Sequence, residues 1–314
     1  MKFTSRHLVW TLVAITAALA LAACGSDSDS LEGKDDTTSS SKQASDTIVI
    51  GSQDYYSNEI IAEIYAQALE AKGVTVKRSF NIGARELYLK ALSDGSIDLL
   101  PEYNGALLSA LSTGGAPQGV SSPTDVYAAL QKVLPADTVV LEQAAAEDKD
   151  TLSVTQATAT KYKLTSIEDL KPVAGQLKVG AGPEWAERFQ GLKGLKEVYG
   201  VEFKEFKPLD AGGPLTLNAL TKGQIDVGNI FSTDSAITTN KLVVLTDPKN
   251  LYLAENIVPL LRTKANTPTV SGALNAVSAK LTTENLAASL AQVQVDKKDT
   301  ASVAKAFLTD NGLL

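Results

Sequence analysis

The stretch GSIDLLPEYNG, Gly95 to Gly105, is echoed by GQIDVGNIFSTD from Gly223. The flanks agree as well, ALSDGSID against ALTKGQID, so that Ala91 falls opposite Ala219 at an offset of 128. Two more landmarks keep register: Ile50 with Val179 at 129, and Gly73 with Gly200 at 127. A repeat of this length restricts the chain to two like units, each large enough to carry its own layered core.

Each copy has the grammar of a β-α-β-α-β unit. In the first, Thr47 to Gly51 is a short β-rich run ending in glycine,. A loop follows, then a helix with Ser57 expected as its N-cap, Ile60, Ile61, Ile64, Ala68 and Leu69 on one face, and Gly73 as its stop,. A strand is expected over Val74 to Phe80, a helix from about Ala84 to Ser93, and a strand over Ile97 to Leu100. The second copy runs from a strand at Gln176–Gly180, through a helix opening at Pro183, to Gly200–Phe206, Leu215–Leu220 and Ile225–Val227,. Such units form mostly parallel sheets flanked by helices. In open α/β sheets ligands bind at strand C-terminal ends, so two facing units place a site in the cleft between them. Ile-Asp is expected to end a strand in each copy; Asp98 and Asp226 themselves read as caps of local turns.

The first residues are a targeting segment, set apart from the fold. Lys2 and Arg6 precede about sixteen apolar or small residues, an h-region too short to span a membrane comfortably,. It closes at Leu21-Ala22-Ala23-Cys24, resembling a bacterial lipobox whose cysteine is lipidated and becomes the mature N-terminus. Residues 24–46, almost all Ser, Asp, Gly, Lys and Thr, cannot bury enough apolar surface to order and read as a tether,. Loss of Lys2 and Arg6 takes the net charge from −7 to −9, which argues against nucleic acid as a partner,. Cys24 is the only cysteine and His7, in the leader, the only histidine. Disulfides, Ser-His-Asp or Cys-His catalysis and His/Cys zinc sites are therefore excluded from the mature chain. No phosphate-binding glycine motif is present, and no cofactor is expected.

Segments that can cross between the units are Thr138–Thr155 and Leu242–Leu261. One lobe is expected over residues 47–145 with 251–314, the other over 146–250, and two crossings make a hinge. Beyond Pro268 three helices are expected, Thr269–Leu281, Thr283–Val293 and Thr300–Asn311.

The residues from Thr47 onward resemble the substrate-binding proteins of ABC-type glycine betaine, choline and carnitine importers. The marks are IYAQALEAKG at Ile64, GSIDLLPEYNG at Gly95, FSTD at Phe231, KLVVLTD at Lys241 and NIVP at Asn256. The resemblance implies a two-lobed, type II periplasmic-binding-protein fold and a non-enzymatic, extracytoplasmic receptor. Such a receptor hands a small solute to a permease driven by a separate ATPase. It also implies an aromatic cage holding a quaternary ammonium through ring faces. Tyr103 matches one cage tyrosine. Phe231, followed by Ser232 and Thr233, stands where relatives often carry tyrosine. Leu253-Ala254-Glu255-Asn256 replaces an aromatic-rich segment, and Gln143–Asp150 lacks tyrosines that relatives place at the crossing. Trp185 either compensates from the second lobe or belongs to its core. Gln53, Asp54 and Tyr56 either face the cleft or serve turn chemistry, and Ala84 and Asn104 complete the expected ligand-binding set. Arg85 and Glu86 are open to reading as a solvated pair. The thinned cage predicts weak glycine betaine binding and better binding of a bulkier or less methylated solute; a neutral polyhydroxy or aromatic ligand is the alternative, as is a ligand-presenting signalling lipoprotein.

Overall fold

The computed structural model describes residues 47–314. The leader, Cys24 and the tether lie outside them. The first unit runs β1 (Ile48–Gly51), α1 (Tyr56–Glu70), β2 (Val76–Ser79), α2 (Arg85–Asp94), β3 (Leu99–Tyr103), α3 (Asn104–Leu111), α4 (Pro123–Val133) and β4 (Thr138–Val140). After a crossing come β5 (Asp150–Thr155), α5 (Gln156–Tyr162), β6 (Lys178–Ala181), β7 (Glu205–Pro208), α6 (Pro214–Thr221), β8 (Val227–Phe231), α7 (Ser235–Thr239) and β9 (Leu242–Val244). A second crossing leads to β10 (Ile257–Arg262), α8 (Pro268–Ser278), α9 (Thr283–Gln294) and α10 (Thr300–Asp310).

Two five-stranded sheets result, ordered β2-β1-β3-β10-β4 and β7-β6-β8-β5-β9. The same pattern is built twice. In each sheet the three strands of the repeat pair in parallel, and the strand entering from a crossing lies antiparallel beside the central one. Tyr103, last in β3, sits opposite Ile257, first in β10; Phe231, last in β8, sits opposite Asp150, first in β5. That register brings the two aromatic strand ends to the two crossings.

The doubled Ile-Asp opens the third strand rather than ending it. Asp98 donates its N–H to Val49 O at 2.7 Å and accepts from Val49 N at 3.1 Å; Asp226 does the same with Lys178, at 2.8 Å each way. These aspartates are not turn caps but clasps between neighbouring strands, at the end of the sheet remote from the crossings. The isoleucines are also equivalent. Ile97 presses on Gly51 and Ile225 on Gly180, where a Cβ would stand 2.8 and 2.7 Å from their Cδ1 atoms.

Helix α1 is buried almost all round, with Ile60, Ile61, Ile64, Tyr65 and Leu69 fully covered. It is enclosed by β1 and β3 on one side and by the tail helices on the other, which explains why its apolar residues exceed a single stripe,. Tyr55 occupies its N-cap position with no side-chain capping bond, whereas the expected cap, Ser57, is buried inside the first turn. The tail helices are capped by Thr267, Thr282 and Asp299, each accepting from a backbone N–H of the first turn,. Pro183 opens a short 3-10 turn, Pro183–Ala186, in place of a regular helix. Two π-helical segments follow, Phe189–Lys193 and Leu195–Tyr199. The backbone at Gly191 is non-helical, and a Cβ there would lie 1.7 Å from Trp185 O.

Candidate functional site

A cavity of about 40 Å³ lies where the strand ends meet the crossings. The first sheet contributes Gln53, Asp54 and Tyr55 after β1, Ala84 and Arg85 at the start of α2, and Tyr103. The second contributes Gly182, Glu184, Trp185, Arg188, Gln190, Asn229 and Phe231. The crossings themselves bring Asp148, Asp150 and Glu255.

Three rings form one wall. Tyr55 stacks on Phe231 at 4.9 Å between centroids and on Tyr103 at 6.2 Å, both at 28°. Trp185, 4 % exposed, stacks instead on Phe206 at 6.3 Å, so it is at once a core residue and part of the lining.

The carboxylates of the crossings are held by neutral donors. Asp148 accepts from Ser57 Oγ at 2.6 Å, from Thr233 Oγ1 at 2.7 Å and from Thr233 N at 3.3 Å. Ser57 Oγ also meets Tyr103 Oη at 3.1 Å, so a chain of bonds runs from the first sheet through the crossing to the second. Asp150 accepts from Asn229 Nδ2 at 2.7 Å. Glu255 accepts from Gln190 Nε2 at 2.6 Å and from Asp150 N at 3.1 Å. Burial raises the carboxyls of Asp148, Asp150 and Glu255 above their ordinary range, and the charge of Asp150 adds to the effect on Glu255,.

The two arginines of the lining are already matched. Arg85 is not paired with Glu86: it makes a two-pronged buried bridge to Glu102, Nε to Oε1 at 2.8 Å and Nη2 to Oε2 at 3.1 Å, beside the Tyr88 hydroxyl, which donates to the same carboxylate. Glu86 pairs with Arg188 across the gap between the halves, at 3.0 and 2.9 Å. Arg188 Nη1 also lies 3.7 Å from Glu184.

Of the residues expected from sequence, Gln53, Asp54, Ala84, Tyr103, Trp185, Phe231 and Glu255 are brought together on the cavity wall. Five are not. Tyr56 begins α1 and turns outward, 38 % exposed, beside a separate groove. Asn104 and Asn256 bind each other, Asn256 N donating to Asn104 Oδ1 at 2.9 Å, and Asn256 Nδ2 donates to Ala144 O at 3.1 Å, which fixes the crossings. Ser232 pairs with the backbone of Lys149, and Thr233 serves Asp148. Sequence reasoning missed Tyr55, Asp148 and Asp150. The signal for the two aspartates is their place between the units, in a segment too polar to be core.

Residues 46–310 match the family described as the substrate-binding domain of the ABC-type glycine betaine transport system. The chain belongs to that family. Its members are extracytoplasmic solute-binding proteins, a role without catalysis. The carnitine transport binding protein OpuCC of Listeria monocytogenes serotype 1/2a is 26 % identical over 311 residues, 96 % of each chain. The glycine betaine-binding protein YehZ of Escherichia coli K12 is 26 % identical over 286 residues, 86 % of this chain and 92 % of the other. Among solved structures, a glycine betaine/carnitine/choline ABC transporter protein superposes with a TM-score of 0.65 at 24 % identity, over 85 % of this chain and 99 % of that one. The fold is that of type II periplasmic binding proteins.

Proposed function

We propose that the chain captures a small organic cation of the osmoprotectant class between two lobes, residues 47–145 with 251–314 and residues 146–250, and delivers it to an ABC permease and its ATPase from a lipid anchor at Cys24. The observation that carries the ligand class is the cavity lining: three rings from both halves and three carboxylates at the crossings that no ion pair reaches among the described residues, Arg85 and Arg188 being bridged to other carboxylates. A cationic head finds the Tyr103 ring and negative potential on the same wall,. The two crossings act as the hinge, and Glu86 with Arg188 joins the lobes at its side,. Anchoring is supported by the Leu21-Ala22-Ala23-Cys24 pattern and the polar tether behind it.

Isothermal titration against glycine betaine, choline, carnitine, proline betaine, primary amines, and neutral polyols and aromatic compounds tests the reading. At least one cation should bind and the neutral compounds should not; the opposite pattern refutes it. Cys24→Ser should shift the protein from the membrane fraction to the soluble one.

A further inference from the structure

Two features of the cavity wall do not suit a fully methylated cation. The first is the rings. A cation sits within about 6 Å of each ring centroid it contacts. Between two facing rings it forces them well beyond the 4.9 Å that separates Tyr55 from Phe231. Those two faces are spent on each other. The second is the carboxylates. Asp148 and Glu255 are each 2 % exposed, and Asp150 lines the same cavity. Among the described residues no ion pair reaches any of the three, since Arg85 is taken by Glu102 and Arg188 by Glu86 and Glu184. Nor are they grouped so as to hold a metal ion. Buried anions of this kind are stabilised by charge and by hydrogen bonds together. A quaternary ammonium supplies charge at a distance and no hydrogen to donate.

An independent observation concerns the opposite polarity. Gln53 and Trp185, 5 and 4 % exposed, line the same cavity, and Gln53 Nε2 and Trp185 Nε1 are buried N–H donors with no partner. An unpaired buried donor is costly, and an acceptor on the ligand removes that cost.

We infer that the solute carries its charge on nitrogen that still bears hydrogen, an ammonium or guanidinium donating to Asp150 and Glu255, and that its far end is an acceptor received by Gln53 and Trp185. This deepens the receptor reading and rests on it. A hydrogen-bearing nitrogen approaches a carboxylate closely and fills its lone pairs, which a methyl shell prevents.

The test uses pairs of compounds in which a nitrogen that bears hydrogen faces its fully methylated counterpart: N,N-dimethylglycine with glycine betaine and dimethylethanolamine with choline, each differing by one N-methyl group, and histidine with its trimethylated betaine, differing by three. Affinities are measured by titration calorimetry on the purified receptor near neutral pH. The N–H member of at least one pair should bind about tenfold or more tighter, the usual worth of a charged hydrogen bond. In Glu255→Gln and in Asp150→Asn, each checked for an unchanged urea midpoint at the same pH or better, that ratio should fall towards one. Trp185→Phe should weaken acceptor-bearing compounds more than acceptor-free amines. If the methylated member binds equally or better, the inference is overturned and the receptor reading stands. If the preference survives in both acid-to-amide variants, the assignment to these carboxylates is overturned. If no member of any pair binds, the organic-cation reading falls and the inference with it.

Discussion

Tyr103 presents its ring to the cavity and its hydroxyl to Ser57, which in turn donates to Asp148. The two roles separate by substitution. Tyr103→Ala removes the ring and should weaken the bound cation by more than ~1 kcal/mol in titration calorimetry, whereas Tyr103→Phe should retain most of that affinity. The carboxyls of the crossings make a second prediction. Their folded-state affinity for protons is raised above that of the unfolded chain, chiefly by burial. Between neutrality and the ordinary carboxylate range the native state therefore binds more protons than the unfolded one, and stability rises as pH falls. Asp169 and Glu284 act in the opposite sense, but lower: backbone hydrogen bonds depress their carboxyls, and what they contribute is lost only as pH drops through those depressed values. The urea midpoint should accordingly be higher at about pH 5.5 than at pH 7, and Glu255→Gln should flatten the difference. A midpoint that falls over this interval contradicts the prediction. Tyr55 and Tyr56 mark the limit of reading at this scale. Both are tyrosines in one loop, and which of them faces inward depends on where α1 begins; a start one residue before the expected cap sends Tyr55 to the rings and Tyr56 to solvent.

At the scale of elements the clasps of Asp98 and Asp226 tie the third strand of each unit to the first through paired backbone bonds. Removing Asp226 leaves Lys178 N without its carboxylate and should cost about 1–3 kcal/mol in denaturant unfolding, with the ligand dissociation constant unchanged because the clasp lies at the far end of the sheet,. A loss of affinity without loss of stability would contradict this. Strand and helix order was legible because the repeat states it twice: the 127–129 offset carries over to Gly51 with Gly180, Ile97 with Ile225, and Tyr103 with Phe231. The crossings were not legible in the same way. Gln143–Asp150 and Leu253–Asn256 have no periodicity, and their structure is set by partners far along the chain: Ser57 for Asp148, Gln190 for Glu255, Asn104 for Asn256. The antiparallel strands β5 and β10 follow from the same long-range pairing.

At the scale of the whole molecule, the Glu86–Arg188 pair is an ionic contact among the described residues whose partners sit on opposite halves at the border of the cavity. Glu86 is largely exposed, its side chain 59 % accessible, so the pair is worth about 0–1 kcal/mol,. Glu86→Gln should enlarge the radius of gyration of the ligand-free protein in small-angle scattering and weaken binding by at most about fivefold, an effect that high salt erases. An unchanged radius at low salt would show that the pair does not restrain opening. Asp148 and Glu255 belong to the crossings, and Asp150 opens β5 directly beyond one of them; none lies on the rims of the halves. A solute gripped there sits at the fulcrum, where a given swing of the jaws displaces it least. Its leverage on the opening angle is correspondingly small, so the grip acts as torsional stiffness in the pivot, and the angle at rest is left to contacts farther out along the arms.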